Sequence, residues 1–114
     1  MKYTRENRAE RGYTSQNNAS VELHNFEKEL EIVNRYGIHL RPAGLFAKAA
    51  LKYESDVSVT NYEGVEVSGK SITGLIALGA VQGTKIKIRI SGNGDAEACR
   101  DELVDLVLSG FGEK

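Results

Sequence analysis

The chain has 114 residues and a formal net charge of −1, from 15 Lys and Arg against 16 Asp and Glu. This length predicts one domain, too small to enclose a large substrate cavity, so we expect function at its surface. The balanced charge argues against nucleic-acid binding, which requires a basic surface. A single cysteine, Cys99, excludes an intramolecular disulfide. Neither a membrane span of about 20 apolar residues nor a signal peptide is visible, so we expect a cytoplasmic protein.

The first 25 residues are polar. They are rich in Asn, Arg, Glu and Ser and hold few aliphatic side chains. Such a segment buries too little apolar area to offset the entropy lost on ordering. We therefore predict a disordered extension over residues 1–25 and one folded domain over residues 26–114.

The domain is predicted to begin with a strand and a helix. Between Phe26 and Ile32, three glutamates alternate with a row that is apolar except for Lys28, which is typical of a half-buried strand. A loop then leads to Pro42, the only proline in the chain, which suits the first position of a helix. The helix is indicated by apolar residues at i, i+3, i+4 and i+7, namely Phe46, Ala49, Ala50 and Tyr53.

Three further strands are predicted from alternating aliphatic residues. The segments 57–59 and 65–67 each carry two valines, and we expect a tight turn at Glu63-Gly64 to join them. The clearest strand alternates isoleucine with basic residues from Ile86 to Ile90.

Two more helices are expected. A short helix is predicted to begin at Ser71, and a closing helix follows Asp95, which is a favourable N-cap. This last helix is expected to stop near Gly110. It would present four residues to the core: Cys99, Leu103, Leu106 and Val107.

Rows of opposite charge indicate which strands are neighbours. The outward row of the first strand is acidic (Glu27, Glu29, Glu31), and that of the last strand is basic (Lys85, Lys87, Arg89). Opposite charges on facing positions stabilise a cross-strand pair. We therefore expect these strands to pair, in a two-layer α+β sandwich with helices on one face of the sheet and solvent on the other.

One phrase of the sequence carries reactive chemistry. Residues 34–43, NRYGIHLRPA, place His39 and Arg41 just ahead of the predicted helix. Imidazole is a nucleophile at neutral pH, and the forked donors of arginine neutralise phosphate charge. Unpaired N–H groups at a helix start, here around Ala43 and Gly44, bind phosphate oxygens. A loop histidine alone more often caps a turn, but these features together predict a transient phosphohistidine.

Two phrases of the chain resemble the HPr family, the phosphocarriers of the bacterial phosphoenolpyruvate:sugar phosphotransferase system. The GxHxRPA phrase that carries the phosphorylated histidine in that family stands here as Gly37, His39, Arg41, Pro42 and Ala43. The family phrase KSIxGxxxLG stands at residues 70–79. The resemblance extends over residues 27–114. One extra residue near Tyr62–Gly64 departs from the family pattern.

The resemblance implies an open-faced sandwich of order β-α-β-β-α-β-α, with a four-stranded antiparallel sheet of strand order 1-4-2-3. It also implies a protein carrier rather than an enzyme, without a cofactor. Enzyme I would phosphorylate His39 on Nδ1, and enzyme II A domains would accept the phosphoryl group. Arg41 would stabilise charge, while Pro42, Ala43 and Gly44 at the helix start would cradle the phosphate.

Two sets of residues suggest contacts with partner proteins. Ser71 is explained by helix capping alone, but its phrase also resembles the regulatory site that HPr kinase/phosphorylase modifies, with a catabolite-control transcription regulator as a further partner. If exposed, four apolar residues would form a docking surface around the histidine, although each is also compatible with the core: Leu40, Leu45, Ile72 and Ile76.

Other functions remain open. A carrier of the nitrogen-related branch is a near alternative, although Pro42 and the KSI phrase favour the sugar branch. A regulatory adaptor acting through Ser71 would lack the histidine, and nothing indicates a small-molecule pocket. His24, His39 and Cys99 lack the spacing of metal ligands, so we expect no metal site. We expect a monomer.

Overall fold

The computed structural model describes residues 23–113, so most of the predicted disordered extension, residues 1–22, lies outside the described range. The elements are β1 (His24–Glu31), α1 (Leu40–Leu51), β2 (Asp56–Thr60), β3 (Glu66–Ser68), α2 (Ile72–Ala77), β4 (Lys85–Gly92) and α3 (Ala96–Leu108), followed by a 3-10 helix (Gly110–Gly112). Their order is the predicted β-α-β-β-α-β-α. No helix in the described part of the chain is long and apolar enough to cross a membrane.

The four strands form one antiparallel sheet in the predicted order β1-β4-β2-β3. Three acidic residues of β1 lie opposite three basic residues of β4: Glu27 opposite Arg89, Glu29 opposite Lys87, and Glu31 opposite Lys85. The shortest ion pair joins Arg89 Nε to Glu27 Oε2 at 3.3 Å. Because exposed ion pairs contribute about 0–1 kcal/mol each, these rows select the strand register and add little to stability.

The core lies between the inner face of the sheet and the three helices. The isoleucines of β4 (Ile86, Ile88 and Ile90) are almost fully buried because this strand has a neighbour on each side and helices above it. Phe46 of α1 and Leu103 of α3 fill the opposite layer. As predicted, Cys99 and Val107 also face this core.

The side chain of the predicted N-cap of α3 is hydrogen-bonded to the α1–β2 connection and not to α3. Asp95 occupies the N-cap position, but its side chain makes no hydrogen bond to its own helix. Its carboxylate instead accepts hydrogen bonds from the Ser55 hydroxyl and, at 2.7 Å, from the Glu54 N–H. The Ser55 bond is the main reason that the pKa of Asp95 is lowered. The residue therefore ties the α1–β2 connection to the start of α3.

A second tie joins the end of α1 to α3. The Tyr53 hydroxyl donates to Glu102 Oε1 at 2.5 Å, and Lys52 Nζ lies 2.6 Å from Glu102 Oε2. The hydrogen bond to Glu102, followed by burial, raises the pKa of Tyr53 to about 12. The hydroxyl therefore remains protonated and bonded throughout the physiological pH range.

Three boundaries differ from the sequence predictions. β1 begins at His24, which pairs with Gly92 of β4, two residues before the predicted start of the strand at Phe26. α1 begins at Leu40 instead of Pro42, because proline fits any place in the first helical turn, where N–H groups need no helical acceptor. Val65 lies outside β3 because it belongs to the turn, where its N–H donates to Asn61 Oδ1.

The loop between β1 and α1 is held against the segment that precedes β4. Ile38 N–H donates to the carbonyl oxygen of Ala80 at 3.0 Å. The preceding residue, Gly37, has φ +67°, and a Cβ atom on it would overlap that same oxygen. Only glycine combines this backbone conformation with so close an approach.

We expect Gly37→Ala to lower the free energy of unfolding by about 2 kcal/mol or more, because it adds both a left-handed penalty and a backbone overlap. Gly94→Ala is the matched control, since Gly94 is not among the glycines with positive φ and a Cβ atom added to it would meet no heavy atom within 4 Å. That variant should stay within about 0.5 kcal/mol of the wild type. Urea denaturation of all three proteins measures the difference, and equal stability of the two variants would refute the packing argument.

Candidate functional site

His39 lies at the N-cap of α1. Its backbone is extended (φ −93°, ψ −165°), its N–H donates to the Gly37 carbonyl at 3.0 Å, and its own carbonyl accepts from Ala43 N–H at 2.9 Å. These bonds orient the side chain, which is 41% exposed. It borders an open depression of about 530 Å³ lined by Arg35, Tyr36, His39, Arg41, Gly112 and Glu113.

One carboxylate joins the histidine to the arginine. Glu113 Oε2 lies 2.9 Å from His39 Nε2, and Glu113 Oε1 lies 3.1 Å from the same nitrogen. Arg41 Nη1 donates to Glu113 Oε2 at 3.3 Å and to the carbonyl of Phe111 at 3.0 Å. The residues come from opposite ends of the described chain.

A buried asparagine holds this carboxylate in place. Asn34 is fully buried, and its Nδ2 donates to the Gly37 carbonyl at 2.7 Å and to Glu113 Oε1 at 3.1 Å. These two acceptors show that the amide nitrogen faces Glu113. Asn34 Oδ1 has no hydrogen-bond partner among residues 23–113. The asparagine thus joins the His39 loop to Glu113.

A tight turn delivers Glu113 to the site. Gly110, Phe111 and Gly112 have φ values of +67°, +57° and +72°, and Phe111 is the only non-glycine residue with positive φ in the described chain. This conformation costs a phenylalanine about 1 kcal/mol or more. The Phe111 ring is 1% exposed, and its burial offsets the cost.

The surroundings keep the Glu113 carboxylate ionised. Partial burial alone would raise its pKa, but the hydrogen bonds from His39, Asn34 and Arg41 have a larger combined effect, so its pKa is lowered. An ionised carboxylate accepts hydrogen bonds and donates none. His39 Nε2 therefore acts as the donor to Glu113, while no atom of residues 23–113 is hydrogen-bonded to Nδ1.

The open backbone donors at the helix start lie just ahead of the residues predicted to cradle the phosphate. Ala43 N–H is used by the His39 carbonyl, Gly44 lies one turn into the helix, and Pro42 has no N–H. The open donors belong to Leu40 and Arg41, whose N–H groups have no acceptor within residues 23–113. The helix begins two residues before Pro42, and the phosphate-cradling role of Pro42, Ala43 and Gly44 stays a prediction.

The residues expected to contact partners lie on α1 and α2, which pack together. The side chains of Leu40, Ile72 and Ile76 are 68%, 42% and 40% exposed, and Leu45 is half-buried. Ser71 is the N-cap of α2, as predicted, and its Oγ accepts from Gly74 N–H at 3.0 Å.

Sequence reasoning missed Glu113 and Asn34. Asn34 was noted only as the first residue of the phrase at residues 34–43, and Glu113 lies 74 residues beyond His39. No periodicity connects such distant positions. The Gly-Phe-Gly sequence at 110–112 was the available signal, because glycines on both sides of an aromatic residue indicate a tight turn rather than a simple helix end.

Comparisons with known proteins point to one family. The family model described as "PTS HPr component phosphorylation site" matches residues 26–109. The phosphocarrier protein HPr of Neisseria meningitidis serogroup A is 40% identical over 87 residues, which are 76% of this chain and 96% of that protein. The phosphocarrier protein NPr of Proteus mirabilis is 36% identical over 75% of this chain and 94% of its own. The crystal structure of HPr-C-His from Thermoanaerobacter tengcongensis has a TM-score of 0.71 and 39% identity, covering 78% of this chain and 98% of that one.

Proposed function

The chain belongs to the HPr family of phosphocarriers, and from this premise we propose that His39 accepts a phosphoryl group from enzyme I and passes it to enzyme II A domains in phosphoenolpyruvate-dependent sugar uptake in the cytoplasm. The observation that carries the proposal is that the two ring nitrogens of His39 have different surroundings. Nε2 is bonded to Glu113, whereas Nδ1 has no hydrogen bond to residues 23–113. The free nitrogen suits a nucleophile that must meet two partners in turn.

The only covalent chemistry that this protein performs in the transfer is the making and breaking of one P–N bond at His39. The Nδ1 lone pair attacks phosphorus and forms the P–N bond, while the bond from phosphorus to the donor breaks and its electron pair stays with the donor. Transfer to the acceptor repeats this displacement with Nδ1 as the leaving atom. Catalysis therefore depends on positioning and on charge stabilisation.

Arg41 and the helix start supply that charge stabilisation. Arg41 uses Nη1 to contact Glu113 and Phe111, which leaves Nε and Nη2 without an acceptor in the described chain. These groups, with the open N–H groups of Leu40 and Arg41, are the available donors for phosphoryl oxygens. The dipole of α1 adds to the attraction.

The exposed apolar residues around His39 support transient docking. Leu40, Ile72 and Ile76 present aliphatic surface on α1 and α2, which pack together. A small patch of this kind suits partners that must bind, exchange a phosphoryl group and separate. We propose that these residues and Leu45 contact both enzyme I and the A domains.

A carrier of the nitrogen branch is the second candidate, favoured by the 36% identity with NPr. Pro42 and the phrase at residues 70–79 favour the sugar branch. A regulatory adaptor without transfer is disfavoured because His39 is present and exposed. Assaying the phosphorylated chain with A domains of each branch distinguishes the two carriers.

We expect His39→Ala to abolish labelling by enzyme I and phosphoenolpyruvate while the fold is retained, because the His39 side chain is 41% exposed and lies outside the hydrophobic core. His24→Ala is the matched control, since His24 is the only other histidine and is also exposed. It should label like the wild type. Acid treatment identifies the bond, because phosphohistidine is labile in acid. Label retained in His39→Ala would contradict the proposal.

Ser71 is proposed as a regulatory phosphorylation site for an HPr kinase/phosphorylase. Its hydroxyl caps α2, and the next residue, Ile72, belongs to the proposed docking surface. A phosphate would add close to two negative charges beside this surface. The cap position tolerates negative charge at a helix start, so the main effect would fall on docking to enzyme I or to a catabolite-control regulator.

We expect Ser71→Asp to slow transfer from enzyme I more than Ser71→Ala does. Aspartate retains a capping acceptor, whereas alanine loses the cap and about 1 kcal/mol of stability. Ser58→Asp is the control, because it places the same charge on the open face of the sheet, beside Arg89. Melting temperatures and transfer rates of the three variants test this. If Ser71→Asp transfers as fast as the wild type, Ser71 is a cap only.

A further inference from the structure

We propose that Glu113 is a positioning residue for phosphoryl transfer: its carboxylate, anchored by Asn34, keeps the His39 proton on Nε2 so that Nδ1 presents its lone pair to the phosphoryl donor. The inference rests on the proposed function. It extends that function to a residue far from the HPr-like phrase and assigns a chemical role to the turn at residues 110–113.

The hydrogen bonds leave one arrangement for the proton. The two oxygens of Glu113 are surrounded by donors from Asn34, Arg41 and His39. If the proton were on Nδ1, the lone pair of Nε2 would face a carboxylate oxygen 2.9 Å away, and the two would repel. The hydrogen bond at Nε2 thus keeps the proton on that nitrogen and leaves Nδ1 unprotonated. Carboxylates that hold histidines have the same effect in other proteins.

The same contact stabilises the charge that transfer creates. When neutral His39 accepts the phosphoryl group on Nδ1 and keeps its proton on Nε2, the ring gains one positive charge. The donor loses the equivalent charge as it takes back its electron pair. Glu113 then faces a cationic ring across the hydrogen bond it already makes, so loading requires no rearrangement at Nε2.

Two unfavourable features next to Glu113, one in its turn and one in the β1–α1 loop, are explained by this role. Phe111 adopts a left-handed backbone conformation between two glycines. Asn34 is fully buried with Oδ1 unpartnered in the described chain, while its Nδ2 spans the loop carbonyl and Glu113. Structures retain such strain where it holds a functional group in place. Here both features lead to the same carboxylate.

Glu113→Gln in the full chain tests the inference. An amide has one oxygen for three donors, so its NH₂ group faces at least one of them and the Nε2–H form loses its support. Glu113→Asp retains the charge one methylene shorter. Glu97→Gln is the matched control, because it removes the same charge from an exposed position on α3. ¹⁵N chemical shifts of His39 at about pH 8.5, where histidine is ordinarily neutral, report the proton's position.

We expect only the Nε2–H form in the wild type and in Glu97→Gln, with an additional Nδ1–H population in Glu113→Gln. Transfer from enzyme I should slow about tenfold in Glu113→Gln, and Glu113→Asp should recover most of the rate. An unchanged proton position or an unchanged rate in Glu113→Gln would overturn the proposal. The chemical shifts need no partner protein. If the wild type accepts no phosphoryl group, the proposed function fails. The chemical shifts still decide whether Glu113 determines which nitrogen of His39 carries the proton.

Discussion

The antiparallel pairing of β1 with β4 is the constraint on which the site depends. It places the first and last strands side by side, and α3 then returns across β1 towards the start of α1. Without this pairing, Glu113 and His39 would lie far apart in space. The charge rows that select the pairing contribute little energy, yet they help determine that a residue 74 positions away reaches the histidine.

The site divides the His39 ring into a held side and an open side. Asn34, Glu113 and the Phe111 turn restrain Nε2, and these contacts are partly or fully buried. Nδ1 has no hydrogen bond to residues 23–113, and the proposed function requires this open side of the ring to admit different partners. A carrier needs both features. A ring without restraint would lose orientation, and a ring enclosed on both sides could not pass its phosphoryl group between proteins.

The sequence predicted features that depend on local patterns. Alternation and capping signals predicted the four strands, the three α-helices and the Ser71 cap, and the charge rows predicted the pairing of β1 with β4, because each signal lies within a few residues or within one strand pair. Residues 34–43 indicated the histidine in the same way, whereas the full strand order was implied only by the resemblance to the HPr family. The start of α1 was displaced because proline is tolerated at several first-turn positions. Asp95 was predicted to cap its own helix, but Ser55 and the Glu54 N–H provide donors that only the tertiary structure brings near. Glu113 was not predicted because its contacts, too, are created only by the tertiary structure. Its role depends on a turn, a buried asparagine and a strand pairing acting together.

The nitrogen that carries the phosphoryl group tests the account most directly. The ¹⁵N-labelled chain would be phosphorylated with enzyme I and phosphoenolpyruvate and then studied by ³¹P and ¹⁵N NMR without denaturation. The account predicts a phosphorus coupling to Nδ1 of His39, with the proton still on Nε2. A phosphoryl group on Nε2, or on any residue other than His39, would contradict it, because Nε2 is the nitrogen that the structure holds against Glu113.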